Sequence, residues 1–182
     1  VWWWPQGGTA LSSGEVGQGY REVADPSITV RFRVAAASRG GRPLSLLAWT
    51  TTPWTLPSNL ALAVHPDFTY AHVAVEDEEF ILAKELIPAV FKGLPVRPGQ
   101  IQVLRELKGG ELVGMRYEPM FAYAQPQGGR AYEVIAADFV TLDTGTGIVH
   151  VAPAFGEDDD RVAREKGLGF LQLIAPDGTF VP

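Results

Sequence analysis

The chain has 182 residues, 46% of them apolar, with 20 glycines, 14 prolines, no cysteine and a formal net charge of −6. This length fits one domain with a sizeable apolar core, and the lack of cysteine excludes disulfides, thiolate metal sites and a cysteine nucleophile. The acidic balance argues against a protein that grips a nucleic-acid backbone unaided, because such proteins are basic.

In chain order, the start VWWWPQGG has no basic stretch and no long apolar core, so it does not read as a signal peptide. No apolar run approaches the ~20 residues that span a bilayer. The sequence lacks an initiator Met and is expected to be a fragment of a longer protein. Ile28, Val30, Phe32 and Val34 alternate with polar or small residues and predict a half-buried strand. Residues 36–43 form a loop. Leu44 to Trp49 is a short apolar run that predicts a buried strand, and Phe68 to Val75 alternates again. Ala83, Leu86, Ile87, Val90 and Phe91 fall at i, i+3, i+4, i+7 and i+8, which predicts a helix ended by Gly93. Pro88 fits there only in a first turn. Strands follow at 101–104, 132–135, 139–142 and 148–151, with a loop at 124–130. A last helix runs from Glu157 to Lys166, acidic at its start, basic later and closed by Gly167. Many short strands and two helices predict a mainly β fold: a closed or strongly bent β-barrel core with a few short helices packed on it.

Two polar segments stand out. In WTTTPWTLPSN, Trp49 to Asn59, three threonines follow an apolar strand. Alternation sends Thr50 and Thr52 one way and Thr51 the other. Pro53 then stops the ladder and leaves main-chain groups free beside hydroxyls, a place for a small polar ligand. Threonine is also simply a good strand former. In DTGTGIVHVAPAFGEDDD, Asp143 to Asp160, Gly145 and Gly147 permit turns and close approach of a ligand. A strand then carries His150, and a turn at Gly156 opens a helix with four acids. A lone histidine on an apolar strand and acids in a first helical turn both have ordinary structural explanations. His65, His72 and His150 lack metal-ligand spacing, so no metal is expected. There is no GxSxG elbow, no phosphate loop and no paired acid and base of the glycosidase kind.

With these two segments in order, preceded by GTALSSGEVGQGYREVADPSITVRF, the sequence resembles the editing (connective peptide 1) domain of class I aminoacyl-tRNA synthetases. The form VHVAPAFGEDD is similar to the isoleucyl branch. Valyl relatives tend toward TPAHD, and leucyl ones usually have Met at the place of His150. The resemblance covers about a third of the chain in motifs and places all of residues 1–182 within one editing domain excised from a larger synthetase. The synthetic signatures HIGH and KMSKS are absent. Two departures from the family stand out: Trp4 and Gly7 stand where relatives often carry a zinc-binding C-x-x-C, and Asp160 stands where they commonly have Tyr.

The resemblance implies a hydrolase that removes valine from tRNA specific for isoleucine, with valyl-adenylate as a second candidate substrate; the alternatives are a valyl- or leucyl-type editing domain and a non-catalytic inserted module that positions the tRNA 3′ end. The hydrolase needs no cofactor and works in the cytoplasm, and its partners are the aminoacylated 3′ end of the tRNA and the rest of the synthetase. It implies that Asp159 binds the substrate ammonium and that His150 limits side-chain size. Thr50, Thr51 and Thr52 would line the aminoacyl group and terminal adenosine, with Trp49, Trp54, Asn59 and Gly147 as further substrate-binding residues.

Overall fold

The computed structural model describes residues 2–19, 21–22, 24, 26–35, 41–92, 94–96 and 99–181. Residues 36–40 of the expected loop and the helix-ending Gly93 lie outside the described residues. In chain order the elements are β1 (Trp2–Trp4), β2 (Thr9–Leu11), α1 (Ser13–Gly17), β3 (Ile28–Arg33), β4 (Leu44–Thr50), β5 (Ala61–Val64), β6 (Thr69–Val75) and β7 (Glu78–Ala83). They continue with α2 (Ile87–Val90), β8 (Ile101–Lys108), α3 (Gly109–Leu112), β9 (Glu133–Ala136), β10 (Ile148–Val151) and α4 (Glu157–Lys166). Tight 3-10 turns occupy Pro53–Ser58 and Lys84–Leu86.

The chain divides into two compact units. The smaller comprises residues 1–26 and 172–182. In it β1 and β2 form an antiparallel hairpin, and the Trp3 indole N–H donates to the Pro176 carbonyl at 2.7 Å. A side chain at Gly7 would meet the Trp4 ring at 2.1 Å, so the indole occupies the space above this glycine. Ser12 caps α1 in a reciprocal pair with Glu15, which satisfies donors at the helix start.

The larger unit, residues 27–171, is built on an eight-stranded sheet of order β8-β6-β7-β4-β10-β5-β9, with β3 on the other edge of β4. A strand has two edges. Because β3 runs antiparallel along all of β4, from Ile28 opposite Thr50 to Arg33 opposite Ser45, β7 and β10 must share the remaining edge. Leu44 to Leu46 pair with β7 and Trp49 pairs with Val149 of β10, both parallel. The sheet therefore forks at β4 and curls into a half-barrel. Residues 114–118 then bridge its ends: Gly114 N–H and Met115 C=O bond Val134 of β9, while Glu118 N–H bonds Arg33 of β3. Hydrogen bonds thus run in a circuit through β3, β4, β10, β5, β9 and this segment.

The interior of that circuit holds Phe32, Leu46, Leu62, Val64, Tyr70, Ile81, Leu112, Tyr117, Val134 and Ile148. The outer face of β5, β9 and β10 is covered by α4 through Val162, with Ala61, Ala63, Ile135 and Val151 beneath it. Strands buried on both faces read as unbroken apolar runs rather than alternating ones, which is why β5, ALAV, carries no period-2 signal.

Two expectations are corrected. Residues 139–142 are not a strand but part of a turn-rich connection; Val140 is buried because the loop packs its side chain under α4, not because its backbone joins a ladder. Ala83 ends β7 rather than opening a helix, since β7 pairs with β6 through Tyr70 opposite Ala83, and the helix that follows is short, with Pro88 in its first turn. The helix at 157–166 is as expected, closed by Gly167 at φ 65°.

The fork is tied by Ala83 N–H to the Thr146 carbonyl at 2.8 Å and by Tyr70 OH to the Gly147 carbonyl at 2.7 Å. Gly147 has φ 72°, and a Cβ there would sit 2.4 Å from the Ala83 Cβ. Both facts demand glycine. Gly147→Ala is expected to cost about 2 kcal/mol or more through strain and overpacking. Urea unfolding of the substituted chain measures it, and an unchanged midpoint would show that the fork tolerates a side chain.

Candidate functional site

The C-terminal ends of β4 and β10 lie side by side because the two strands run parallel in the register Trp49 opposite Val149. The threonines that follow Trp49 therefore leave β4 at the end of the sheet where His150 follows Val149. Pro53 opens the 3-10 turn that ends β4, as a residue without an N–H should. The turn carries Thr55 back onto Thr52: Thr55 N–H and Thr55 Oγ1 both donate to the Thr52 carbonyl, at 3.1 and 2.9 Å. The hydroxyls of Thr50 and Thr52 are 3.2 Å apart, and Thr52 N–H donates to Thr50 Oγ1 at 3.0 Å.

His150 is buried and bonded at both ring nitrogens. Nε2 lies 2.7 Å from Thr55 Oγ1, and Nδ1 lies 3.1 Å from Asn59 Nδ2. The direction of each bond follows from its neighbours. Asn59 Nδ2 donates to the Ala61 carbonyl at 2.9 Å, and Asn59 Oδ1 accepts from Tyr117 OH at 2.6 Å. The amide therefore presents N–H to His150, Nδ1 accepts, and the imidazole proton sits on Nε2 and is donated to Thr55. Thr55 passes its own proton to the Thr52 carbonyl. The chain of donors runs in one sense, Tyr117 to Asn59 to His150 to Thr55 to Thr52. Burial lowers the His150 pKa to about 4, which suits a neutral ring.

Asp159 is the third residue of α4, and its Oδ2 accepts from Ala152 N–H at 2.9 Å, two residues beyond His150. Oδ1 has no hydrogen-bond partner among the described residues. A side chain at Gly156 would crowd the Asp159 carboxylate at 3.1 Å, so glycine clears its approach to the strand end. Desolvation raises the Asp159 pKa, the Ala152 bond pulls it down, and neighbouring Asp158 raises it again. A half-buried carboxylate of this kind, short of partners, favours a bound cation. Among the described residues no group of three acidic, His or Cys side chains could hold a metal.

Of the residues expected from the sequence, the structure brings Thr50, Thr52, Asn59 and His150 into one network and puts Asp159 at its edge. Thr51 and Trp54 are exposed, Trp54 at 54% on the 3-10 turn. Trp49 and Gly147 lie elsewhere. Trp49 faces away from Thr50, close above Gly145, and with Gly147, Phe139, Thr141 and Thr144 it lines a separate hollow of about 210 Å³. Asp160, where the family commonly has Tyr, pairs with Arg164 one turn on at 2.9 Å. Sequence reasoning missed Thr55 and Tyr117. Thr55 was visible inside the threonine segment; Tyr117 lies in an irregular stretch and carried no signal.

The fold is that of aminoacyl-tRNA synthetase editing domains. The P. knowlesi cytosolic leucyl-tRNA synthetase editing domain superposes with a TM-score of 0.63 at 15% identity, over 82% of this chain and 66% of that one. The P. falciparum counterpart gives 0.56 at 13%, over 70% and 48%. No protein-family model matches. In sequence, the chain is homologous to one segment of isoleucine--tRNA ligases. It is 45% identical over 177 residues to that of Clostridium tetani, covering 97% of this chain and 16% of the relative. It is 47% identical over 172 residues to that of Bacillus thuringiensis, covering 94% and 16%. The chain thus spans about 16% of the length of these relatives.

The buried imidazole makes stability depend on pH. His150 titrates at about 4 when folded against 6.5 for the free group, so its contribution is complete above pH 6.5 and is lost as pH falls toward 4. That amounts to roughly 3 kcal/mol. Asp159, shifted upward, acts in the opposite sense as pH rises above 3.8. His150→Gln is expected to remove the loss between pH 6.5 and 4 while leaving the Asp159 part. Urea unfolding at several pH values compares the two chains, and parallel curves would show that His150 is not buried neutral.

Proposed function

We propose that this chain is a hydrolytic editing domain that removes valine from tRNA specific for isoleucine. The observation that carries the reading is the threonine-rich end of β4 bonded through Thr55 to a fixed neutral imidazole, with the Asp159 carboxylate held on Ala152, two residues beyond that imidazole. The 45% identity to isoleucine--tRNA ligases favours the isoleucyl form over the leucyl one.

A synthetic pocket shaped for isoleucine rejects valine poorly, because one methylene is worth only ~1–3 kcal/mol; this pair of amino acids is the standard illustration. A second, smaller pocket corrects the error by excluding the larger side chain. In this reading Asp159 Oδ1 binds the α-ammonium and so orients every aminoacyl ester alike. His150, held from both nitrogens, forms the wall that measures the side chain. Thr50, Thr51 and Thr52 line the aminoacyl and adenosine groups, with Trp54 at the rim. Water adds to the ester carbonyl, and the tetrahedral intermediate expels the ribose oxygen, which takes up a proton. His150 is not the base: Nδ1 already accepts from Asn59 and Nε2 carries the proton. No threonine has a paired base either, so the free ribose hydroxyl of the terminal nucleotide positions the water. Valyl-adenylate presents the same ammonium and side chain and fits the same pocket. The rest of the synthetase supplies the tRNA backbone contacts that an acidic domain lacks.

Two kinetic outcomes follow. Asp159→Ala is expected to lower kcat/KM for valyl-tRNA roughly 10- to 150-fold, the worth of a charge-assisted bond, in a chain that still folds but melts lower because the Ala152 N–H loses its acceptor; near-normal hydrolysis would remove Asp159 from the mechanism. His150→Ala is expected to let isoleucyl-tRNA be cleaved within about tenfold of valyl-tRNA, the worth of one methylene. If isoleucyl-tRNA stays intact while valyl-tRNA is still cleared, the size wall lies elsewhere. Parallel assays with threonine- and leucine-analogue-charged tRNAs separate the isoleucyl reading from valyl- and leucyl-type editing.

A further inference from the structure

We infer that Tyr117 is a positioning residue of this site: its phenol, reaching across the barrel interior, fixes the Asn59 amide, which in turn holds His150 as the Nε2–H tautomer. The inference deepens the reading of His150 as the wall of an editing pocket and rests on it for its effect on hydrolysis.

Tyr117 belongs to residues 114–118, the segment that joins β9 to β3 and completes the hydrogen-bonded circuit. Its backbone is fixed on both sides, by Val34 of the β3 side and by its own N–H on the Tyr132 carbonyl at 3.1 Å. Its ring packs edge-on against Phe32 at 5.3 Å and against Tyr132 at 6.2 Å. Tyr132 sits at φ 60°, a conformation a bulky residue holds only where its surroundings impose it. Its N–H bonds the carbonyl of Leu60, the residue after Asn59, at 2.6 Å. The same junction therefore holds the Tyr117 ring and the backbone beside Asn59.

A buried primary amide has two ends of opposite polarity, and a wrong orientation strands a donor or an acceptor. Here the Ala61 carbonyl asks for N–H on one side, and Tyr117 OH asks for a carbonyl oxygen on the other. Burial pushes the Tyr117 phenol well above its ordinary range, so it remains a donor. The orientation so chosen decides which imidazole nitrogen carries the proton. That in turn decides whether Thr55 accepts from His150 and remains free to donate to the Thr52 carbonyl. A phenol at residue 117 thereby sets the arrangement of hydroxyls at the end of β4.

Tyr117→Phe removes one oxygen and leaves the ring packing in place. Without its donor, Asn59 Oδ1 is buried unsatisfied, and turning or withdrawing the amide ends donation to Nδ1. The ¹⁵N spectrum of the His150 ring, assigned by its loss in His150→Gln, reads this directly. The unsubstituted chain is expected to show protonated Nε2 and an accepting Nδ1, and Tyr117→Phe a mixture of tautomers. Hydrolysis of valyl-tRNA is expected to fall about fivefold in Tyr117→Phe, the worth of one hydrogen bond, with a loss of preference for valine over isoleucine. An Nδ1–H tautomer in the unsubstituted chain, or unaltered ring signals in Tyr117→Phe, would overturn the inference without any assay of activity. Altered signals with unaltered hydrolysis and preference would overturn the positioning role. Altered signals in a chain that cleaves no mischarged tRNA would leave the tautomer lock standing and sink the editing reading instead.

Discussion

The short parallel contact between β4 and β10, Trp49 beside Val149, is the constraint on which the site depends. Antiparallel neighbours would send the end of β4 and the end of β10 to opposite edges of the sheet. Parallel pairing sends both to one edge, and the edge is where main-chain donors such as Ala152 N–H are released from the ladder. The pairing is possible only because β7 leaves the same edge of β4 after Leu46, and because residue 147 is a glycine, where a Cβ would lie 2.4 Å from the Ala83 Cβ. Packing at one end of β10 thus sets the geometry at the other.

At that edge the polar groups are of two kinds. His150, Asn59, Thr55 and Tyr117 are buried and satisfy one another in a single direction of donation, and among the described residues no buried side-chain polar atom is left without a partner. Such a network is rigid, because each bond fixes the polarity of the next. Asp159 and Thr52 are more exposed, and Asp159 Oδ1 holds unused capacity. Rigidity is what a size-selective wall needs, since a pocket that yields cannot turn a methylene into a penalty. Open capacity is what ligand capture needs. The separation of these roles between neighbouring residues is the physical basis for reading the site as a sieve with an anchor.

Much of this was legible in the sequence, for reasons that differ by residue. The β3 strand has one exposed polar face and announced itself by alternation, and α4 did so by its acids, its bases and Gly167. Thr50, Thr52, Asn59, His150 and Asp159 were picked out because two compact polar segments interrupt apolar runs. What stayed hidden was set by long-range packing. β5 is apolar on both faces, residues 139–142 are apolar yet belong to a loop that fills the space under α4, and Ala83 follows a helical spacing but is held by Tyr70 across the sheet. Tyr117 meets Asn59 across 58 residues of chain, a contact that only the barrel circuit creates. Gly147 and Trp49 share a motif with the site in sequence but sit at the wrong end of, or on the wrong face of, their strands.

The pairing of an ammonium anchor with a fixed wall is tested most directly by a crystal structure of the chain soaked in turn with valine and with isoleucine at equal concentration. Valine is expected to bind with its nitrogen on Asp159 Oδ1 and its methyl groups against His150, within reach of Thr50 and Thr52, while isoleucine leaves the site empty. Equal occupancy of both amino acids, or valine bound away from Asp159, would contradict that arrangement.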